Sequence, residues 1–145
     1  MITIAPLSPD NFEAVVALKV GDDQATFVAS NVLSIAQSKT WDYLVPVAIE
    51  NNGTPIGFAL YGKDPKTQRV YIVRLMIDQA FQRSGHGAAA LGLLFVKLRE
   101  SYACTEIHVS VVPGNLGSER LFHSKGFIPT GEIDEDGEVV LRHQI

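Results

Sequence analysis

Cysteine is nearly absent from these 145 residues, with Cys104 alone. No intrachain disulfide and no cysteine-built structural zinc site is available to such a chain, and a reducing cytoplasm is the expected location. No stretch approaches the roughly 18 uninterrupted apolar residues of a membrane helix. That run is missing, so no membrane partner is expected, and the N-terminus lacks the basic-then-apolar pattern, so no secretory signal is expected. Lys and Arg never form a run longer than two, and the net charge is −4. That excludes the basic footprint on which nucleic-acid binding draws. His86, His108, His123 and His143 show no metal-ligand spacing, so no metal is expected. Ser84 near His86 resembles no nucleophile elbow, because no third member is apparent. There is no Gly-Lys-Ser/Thr phosphate loop, and Gly85-x-Gly87 lacks the third glycine of a dinucleotide fingerprint.

What remains is an ordinary globular composition, 46% hydrophobic and 19% charged, of a size for one domain over residues 1–145. A mildly acidic surface leaves room for a cationic small molecule. Ser8-Pro9 reads as an N-cap followed by proline at the first helical position, with Phe12, Val15, Val16 and Lys19 at helical spacing. A second helix is predicted from Ser30-Asn31, with Val32, Ile35 and Ala36 on its buried side. Residues 45–50 and 56–61 are short and apolar around Asn51-Asn52-Gly53, a hairpin signal. Residues 70–77 form another strand. Leu91, Leu94, Phe95, Leu98 and Tyr102 then recur at helical spacing.

The order continues with a strand at 107–112, a short helix at about 117–125 and Gly126 as its left-handed end. A final hairpin joins 127–133 to 138–142, and an early strand is read at 2–5. These elements predict an α/β (α+β) sandwich, its mixed, mostly antiparallel sheet of about six or seven strands flanked by about four helices.

Strand 70–77 leads into Gln82-Arg83-Ser84-Gly85-His86-Gly87-Ala88 and then the long helix. Strand, glycine turn and helix start together make an anion site, since first-turn N–H groups lack intrahelical partners and the helix dipole favours negative charge. Gly85 and Gly87, without Cβ atoms, let a diphosphate approach the backbone, and Arg83 adds a charge-assisted contact. The alternative is an ordinary helix start with two turn glycines.

Gln82-x-x-Gly85-x-Gly87-Ala88 after a strand resembles the acetyl-CoA diphosphate loop of the GNAT superfamily of N-acetyltransferases. Asn115, Ser118, Leu121, Phe122, Gly126 and Phe127 resemble its Asn-x-x-Ala-x-x-Leu-Tyr-x-x-x-Gly-Phe element, in the right order and at the right separation. Phe27-Val28, Ser34-Ile35-Ala36, residues 57–62 and 74–78, Gly131-Glu132 and Gly137-Glu138 look like bacterial spermine/spermidine (diamine) N-acetyltransferases.

The resemblance implies the GNAT fold, acetyl-CoA as cosubstrate and a small-molecule amine, such as spermidine or spermine, as acceptor. It implies that the backbone of Leu75, Met76 and Ile77 bonds the pantetheine arm and polarises the thioester carbonyl. Backbone from Gln82 through Arg83, Ser84, Gly85, His86 and Gly87 to Ala88 would hold the diphosphate. Asn115 would bond the coenzyme arm, Ser118 and Phe122 would line the slot beside the sulfur, and Arg74 would sit near the acceptor entrance. A homodimer is also compatible with the family.

Two positions depart from the pattern. Phe122 stands where the superfamily commonly has a Tyr that protonates the leaving thiolate, and Ser118, one turn earlier on the same face, is placed to position a water. Val73 stands where polyamine acetyltransferases resemble one another in having Asp. An alkylammonium of pKa ~10.4 must still lose a proton before attack, and Asp22, Asp23 and Asp42 are candidate bases. Trp41 and Tyr43 either line an acceptor cleft or cap the core. His123 is expected at the surface and Cys104 as a small buried residue. Two alternatives remain open at this point: an acyl-CoA-binding sensor or degenerate GNAT domain, and acetylation of a protein amine.

Overall fold

The computed structural model describes residues 1–24 and 29–145, the side chain of Asp23 excepted. Phe27 and Val28 of the resemblance lie outside the described residues. Seven strands form one sheet: β1 (Ile2–Pro6), β2 (Leu44–Asn51), β3 (Thr54–Lys63), β4 (Val70–Ile77), β5 (Glu106–Val111), β6 (Ile128–Ile133) and β7 (Val139–Gln144). Their order is β1-β2-β3-β4-β5-β7-β6. Every pairing is antiparallel except β4 with β5. Among the described residues four α-helices flank it: α1 (Phe12–Ala17), α2 (Asn31–Thr40), α3 (His86–Tyr102) and α4 (Leu116–Ser124). The expected mixed, mostly antiparallel α/β sandwich is what forms.

Both faces of the sheet are covered, which is why β3 reads as a continuous apolar run rather than an alternating one. Leu91, Leu94 and Leu98 of α3, with Phe122 and Phe127, pack on one face against Ala59, Tyr61, Val70, Ile72 and Ile107. Val15 of α1 packs on the other against Ala48, Phe58, Leu60 and Met76. The Asn52-Gly53 turn between β2 and β3 has φ of 51° and 82°, both left-handed, as a tight hairpin requires.

Two local expectations need correction. Helix α1 starts at Phe12 and not after Ser8. The Ser8 carbonyl instead accepts the N–H groups of Asn11 (3.2 Å) and Phe12 (3.0 Å), and Asn11 Oδ1 accepts the Ser8 N–H (2.9 Å). Pro9 thus sits in a turn that precedes the helix, and Lys19 lies beyond its end.

On α2, whose N-cap Ser30 accepts from the Leu33 N–H, the buried residues are Asn31 and Ser34; Val32, Leu33 and Ala36 are exposed. Asn31 is buried with its Nδ2 donating at 2.9 Å to the Val15 carbonyl near the end of α1, which also accepts the Leu18 N–H at 3.2 Å.

Candidate active site

The site forms where the sheet opens. Strands β4 and β5 pair only from Val70–Ile107 to Ile72–Val109, although β4 runs on to Ile77 and β5 to Val111. The register of β4 on β3 shifts at the same place, from Tyr61–Ile72 to Leu60–Arg74, which leaves Val73 as a bulge. A bulge reverses the in/out alternation beyond it. Val70 and Ile72 therefore face the α3 side before the bulge, and Leu75 and Ile77 after it, while Met76 packs on the α1 side.

Backbone direction follows from the same register. The Met76 carbonyl faces β3, since a Cβ built on Gly57 would lie 2.5 Å from it. The Asp78 N–H also faces β3, donating to the Ile56 carbonyl at 2.8 Å. Because N–H and C=O of one strand residue point to the same side and alternate along the chain, those of Leu75 and Ile77 point into the gap left by β5. The Ile77 carbonyl accepts Gln82 Nε2 at 2.8 Å, and the same amide donates to Gln24 Oε1 at 3.0 Å. Gln82 thus fastens the turn to the end of β4 through its side chain.

Two clefts meet at this opening. The first, about 430 Å³, is lined by Val73, Arg74 and Leu75 of β4, residues 110–113 beyond the β5 pairing, Asn115, Ser118 and Phe122 of the α4 region, and Asp136 and Glu138 of the β6–β7 hairpin. The second, about 550 Å³, runs under the glycine turn. Leu75, Met76, Ile77, Gln82, Arg83, Gly85, His86, Gly87 and Ala88 line it, with Arg120 and Leu121 from α4. Leu75, Asn115 and Ser118 border both, so the two are continuous at the gap between β4 and α4.

The two turn glycines differ in kind. Gly85 is the N-cap of α3 at φ 79°, a left-handed backbone that follows another at Arg83 (φ 63°). Gly87 lies inside the first helical turn with ordinary helical φ. The first intrahelical bond runs from the Ala89 N–H to the Gly85 carbonyl (3.1 Å), so the N–H groups of His86, Gly87 and Ala88 stand ahead of the ladder. Ser84 is exposed and lies off the cleft.

Asn115 caps α4, its Oδ1 accepting the Ser118 N–H at 3.3 Å and its Nδ2 donating to Ser118 Oγ at 2.9 Å. That leaves the Ser118 hydroxyl proton free to donate into the cleft. Phe122, one turn on, is 7% exposed and packs edge-to-face on Phe127 with ring centroids 5.2 Å apart.

Other sequence candidates fall elsewhere. Trp41 is the C-cap of α2, 51% exposed, and Asp42 follows it in an exposed turn; neither lines a cleft. Trp41 therefore does not cap the core: it stands where α2 ends and the chain turns into β2, away from the two clefts. Asp22 is exposed in a short 3-10 turn and lines neither cleft, and Asp23's side chain lies outside the described residues. His123 is exposed as expected. Cys104 is half-buried, its thiol raised by burial and donating to the Leu98 carbonyl at 3.5 Å.

Sequence reasoning missed Asp136 and Glu138 on the first cleft and Arg120 on the second. The Gly137-Glu138 pair carried part of the resemblance, but nothing local tied the hairpin to a site more than 60 residues earlier in the chain. The clefts consequently differ in charge. Arg83 and Arg120 line the second, with no carboxylate beside them among the described residues; Asp136 and Glu138 line the first, opposed by Arg74 alone. Burial first, then the Asp134 charge, pushes the Glu138 carboxyl above the usual carboxylate range, while Arg74 pulls it back and Asp136 adds to the rise.

The profile of the acetyltransferase (GNAT) family matches residues 17–127. The chain is similar to the spermine/spermidine N(1)-acetyltransferase of Bacillus subtilis (strain 168), 33% identical over 146 residues that cover 97% of this chain and 96% of that protein. A shorter likeness, 33% over 79 residues, covers 54% of this chain and 44% of the L-2,4-diaminobutyric acid acetyltransferase of Streptomyces avermitilis. Among solved structures, the PaiA N-acetyltransferase of Thermoplasma acidophilum in complex with coenzyme A superposes with a TM-score of 0.72 at 15% identity, covering 100% of this chain and 99% of that one. The aminoglycoside acetyltransferase AAC(6')-Ib in complex with coenzyme A gives 0.80 at 16% identity, over 99% and 95%.

Proposed function

From the premise that this chain belongs to the acetyltransferase (GNAT) family, and is an acetyl-CoA-dependent N-acetyltransferase, we propose that its acceptor is a small polyamine of the spermidine or spermine type. The observation that carries the reading is the opposite polarity of two joined clefts. The cationic one lies under a helix start and suits the diphosphate end of the coenzyme; the acidic one suits a polycation. We read residues 1–145 as one catalytic domain.

In this reading the N–H groups of residues 86–88, with Arg83 and Arg120, hold the diphosphate. The coenzyme arm replaces β5 beside β4, bonding the backbone of Leu75 and Ile77 that faces the gap. Asn115, already spent on Ser118, closes the far wall of that slot more than it binds the arm. The amine attacks the acetyl carbonyl carbon, the Leu75 and Ile77 N–H groups stabilise the developing oxyanion, and the carbon–sulfur bond breaks to release the CoA thiolate. Phe122 has no proton to give, but an alkyl thiol titrates near ~8.5, so the thiolate leaves without full protonation; the Ser118 hydroxyl, one turn earlier on the same helix, lines that cleft as a donor.

The test is thiol release from acetyl-CoA with a panel of amines: spermidine, spermine, single diamines, amino acids and lysine peptides. Fastest turnover of spermidine or spermine, with the acetylated product confirmed by mass, is expected. Preference for a monoamine or a peptide would overturn the polyamine acceptor while leaving the acetyltransferase intact.

A further inference from the structure

We propose that Glu138 takes the proton from the acceptor's reacting ammonium group and that Asp136 beside it holds a second positive charge of the same acceptor. The inference rests on the polyamine reading for Asp136 only; the role of Glu138 needs an amine acceptor of any kind. An alkylammonium has no lone pair, and its pKa near ~10.4 makes a base or a desolvating pocket obligatory at neutral pH. Among the described residues, Asp136 and Glu138 are the carboxylates lining the cleft that also holds Leu75, Ser118 and Phe122.

The hairpin that carries them is braced. Asp134 Oδ1 accepts the N–H groups of Asp136 (3.0 Å) and Glu138 (2.9 Å), and the Asp134 N–H donates to the Glu138 carbonyl at 2.9 Å. Asp134 is therefore spent on the turn, whereas its two neighbours are free to face the cleft. Glu138 is half-buried and Asp136 exposed, which divides their roles. A base must be shielded enough for its proton affinity to approach that of the amine, and a charge-holding carboxylate needs only to meet an ammonium at the mouth. The charged groups around Glu138 are Asp134, Asp136 and Arg74; the first two raise its proton affinity and the third lowers it. Carboxylate oxygens of Asp134, Asp136 and Glu138 come within 4.8 Å of one another, and a cation entering among them relieves that repulsion.

The step balances. The Glu138 carboxylate takes one proton from the ammonium, and the freed lone pair forms the carbon–nitrogen bond. The carbon–sulfur bond then breaks, its electron pair leaving on the thiolate. The second N–H proton passes to that thiolate, and Glu138 returns its own proton to solvent.

The experiment uses the full chain and whichever amine of the panel the wild type acetylates fastest, so that failure of the polyamine reading leaves the base assignment testable. Glu138→Gln is expected to lower kcat roughly 100- to 10,000-fold. Its residual kcat/KM should climb with pH toward the amine's own pKa, without the wild type's plateau. Acetyl-CoA affinity by calorimetry should be unchanged, and Glu138→Asp should recover part of the rate. Asp136→Asn should raise KM for spermidine about three- to fivefold, as for one exposed charge pair, with a smaller change in kcat, since Asp136 is the weaker of the two charges that raise Glu138, and with little change in KM for a monoamine. A Glu138→Gln enzyme within about threefold of wild type, or one that loses acetyl-CoA binding together with activity, overturns the assignment. Unchanged KM in Asp136→Asn overturns the second-charge role alone.

Discussion

Gly87→Ala separates the fold's use of the glycine turn from the ligand's. In the free protein the added methyl would meet Leu121 Cδ2 at 3.5 Å and Ile77 Cγ1 at 3.8 Å, ordinary van der Waals distances. The position is helical, where alanine is favoured over glycine by ~0.8–1.0 kcal/mol in a helix interior and by less in a first turn. A gain of about 0.5 kcal/mol is therefore expected, or a rise of ~1–2 °C in Tm for a chain of this size. In the proposed reading the same methyl stands on the wall of the cleft that takes the coenzyme's diphosphate. Acetyl-CoA affinity should consequently fall at least ~10-fold, or ~1.4 kcal/mol.

Gly85→Ala is the control. Its Cβ meets nothing within 4 Å, but φ is +79°, so the cost is conformational, ~1–2 kcal/mol, and Tm should drop by ~3–6 °C. Differential scanning calorimetry and isothermal titration of acetyl-CoA measure the two quantities independently. A Gly87→Ala protein that binds acetyl-CoA as tightly as wild type while its Tm rises would place the diphosphate cradle elsewhere.

Three further outcomes follow from the geometry. Phe122→Tyr places a phenol in the cleft beside Ser118; kcat should rise about tenfold, on the low side for general acid help because the leaving thiol titrates near ~8.5, and an unchanged kcat would mean that the ring edge does not face the sulfur. Gly57→Ala puts a Cβ 2.5 Å from the Met76 carbonyl and 2.8 Å from Ile77 Cδ1, so urea unfolding should show a loss of ~1–3 kcal/mol, with weaker acetyl-CoA binding because β4 is pushed toward the gap.

His108 is 3% exposed against the Tyr71 ring. Burial first, then Arg69, lowers its pKa, partly offset by Glu106 and Glu132, with Arg142 lowering it further. Its neutral form is thus favoured in the fold, so its contribution is complete above its unfolded pKa of ~6.5 and is lost as pH falls below that value. His108→Phe should remove that limb from Tm against pH; a limb that persists would assign it to other groups.

The sequence by itself determined the order of the elements and the cleft under the glycine turn. Local signals sufficed there: a turn of Asn-Gly, a 3.6-residue apolar period in α3, two glycines at a helix start, and Ser118 and Phe122 one turn apart on α4. Each is a relation between residues within a few positions of one another, and backbone sterics act over that range. Three other features were decided by tertiary structure. The bulge at Val73 reverses the parity of β4 and turns Leu75 and Ile77 toward the gap, a change invisible in an apolar run buried on both faces. Asn31 faces inward, where hydrophobicity pointed to Val32, and its buried amide is satisfied by donating to the Val15 carbonyl, which also accepts the Leu18 N–H. Asp136 and Glu138 join Arg74 in one cleft only because β7 pairs with β5 and carries the hairpin to the place where β5 leaves β4. Charges on an exposed hairpin read as solvated until the sheet order brings them across from the strand they serve.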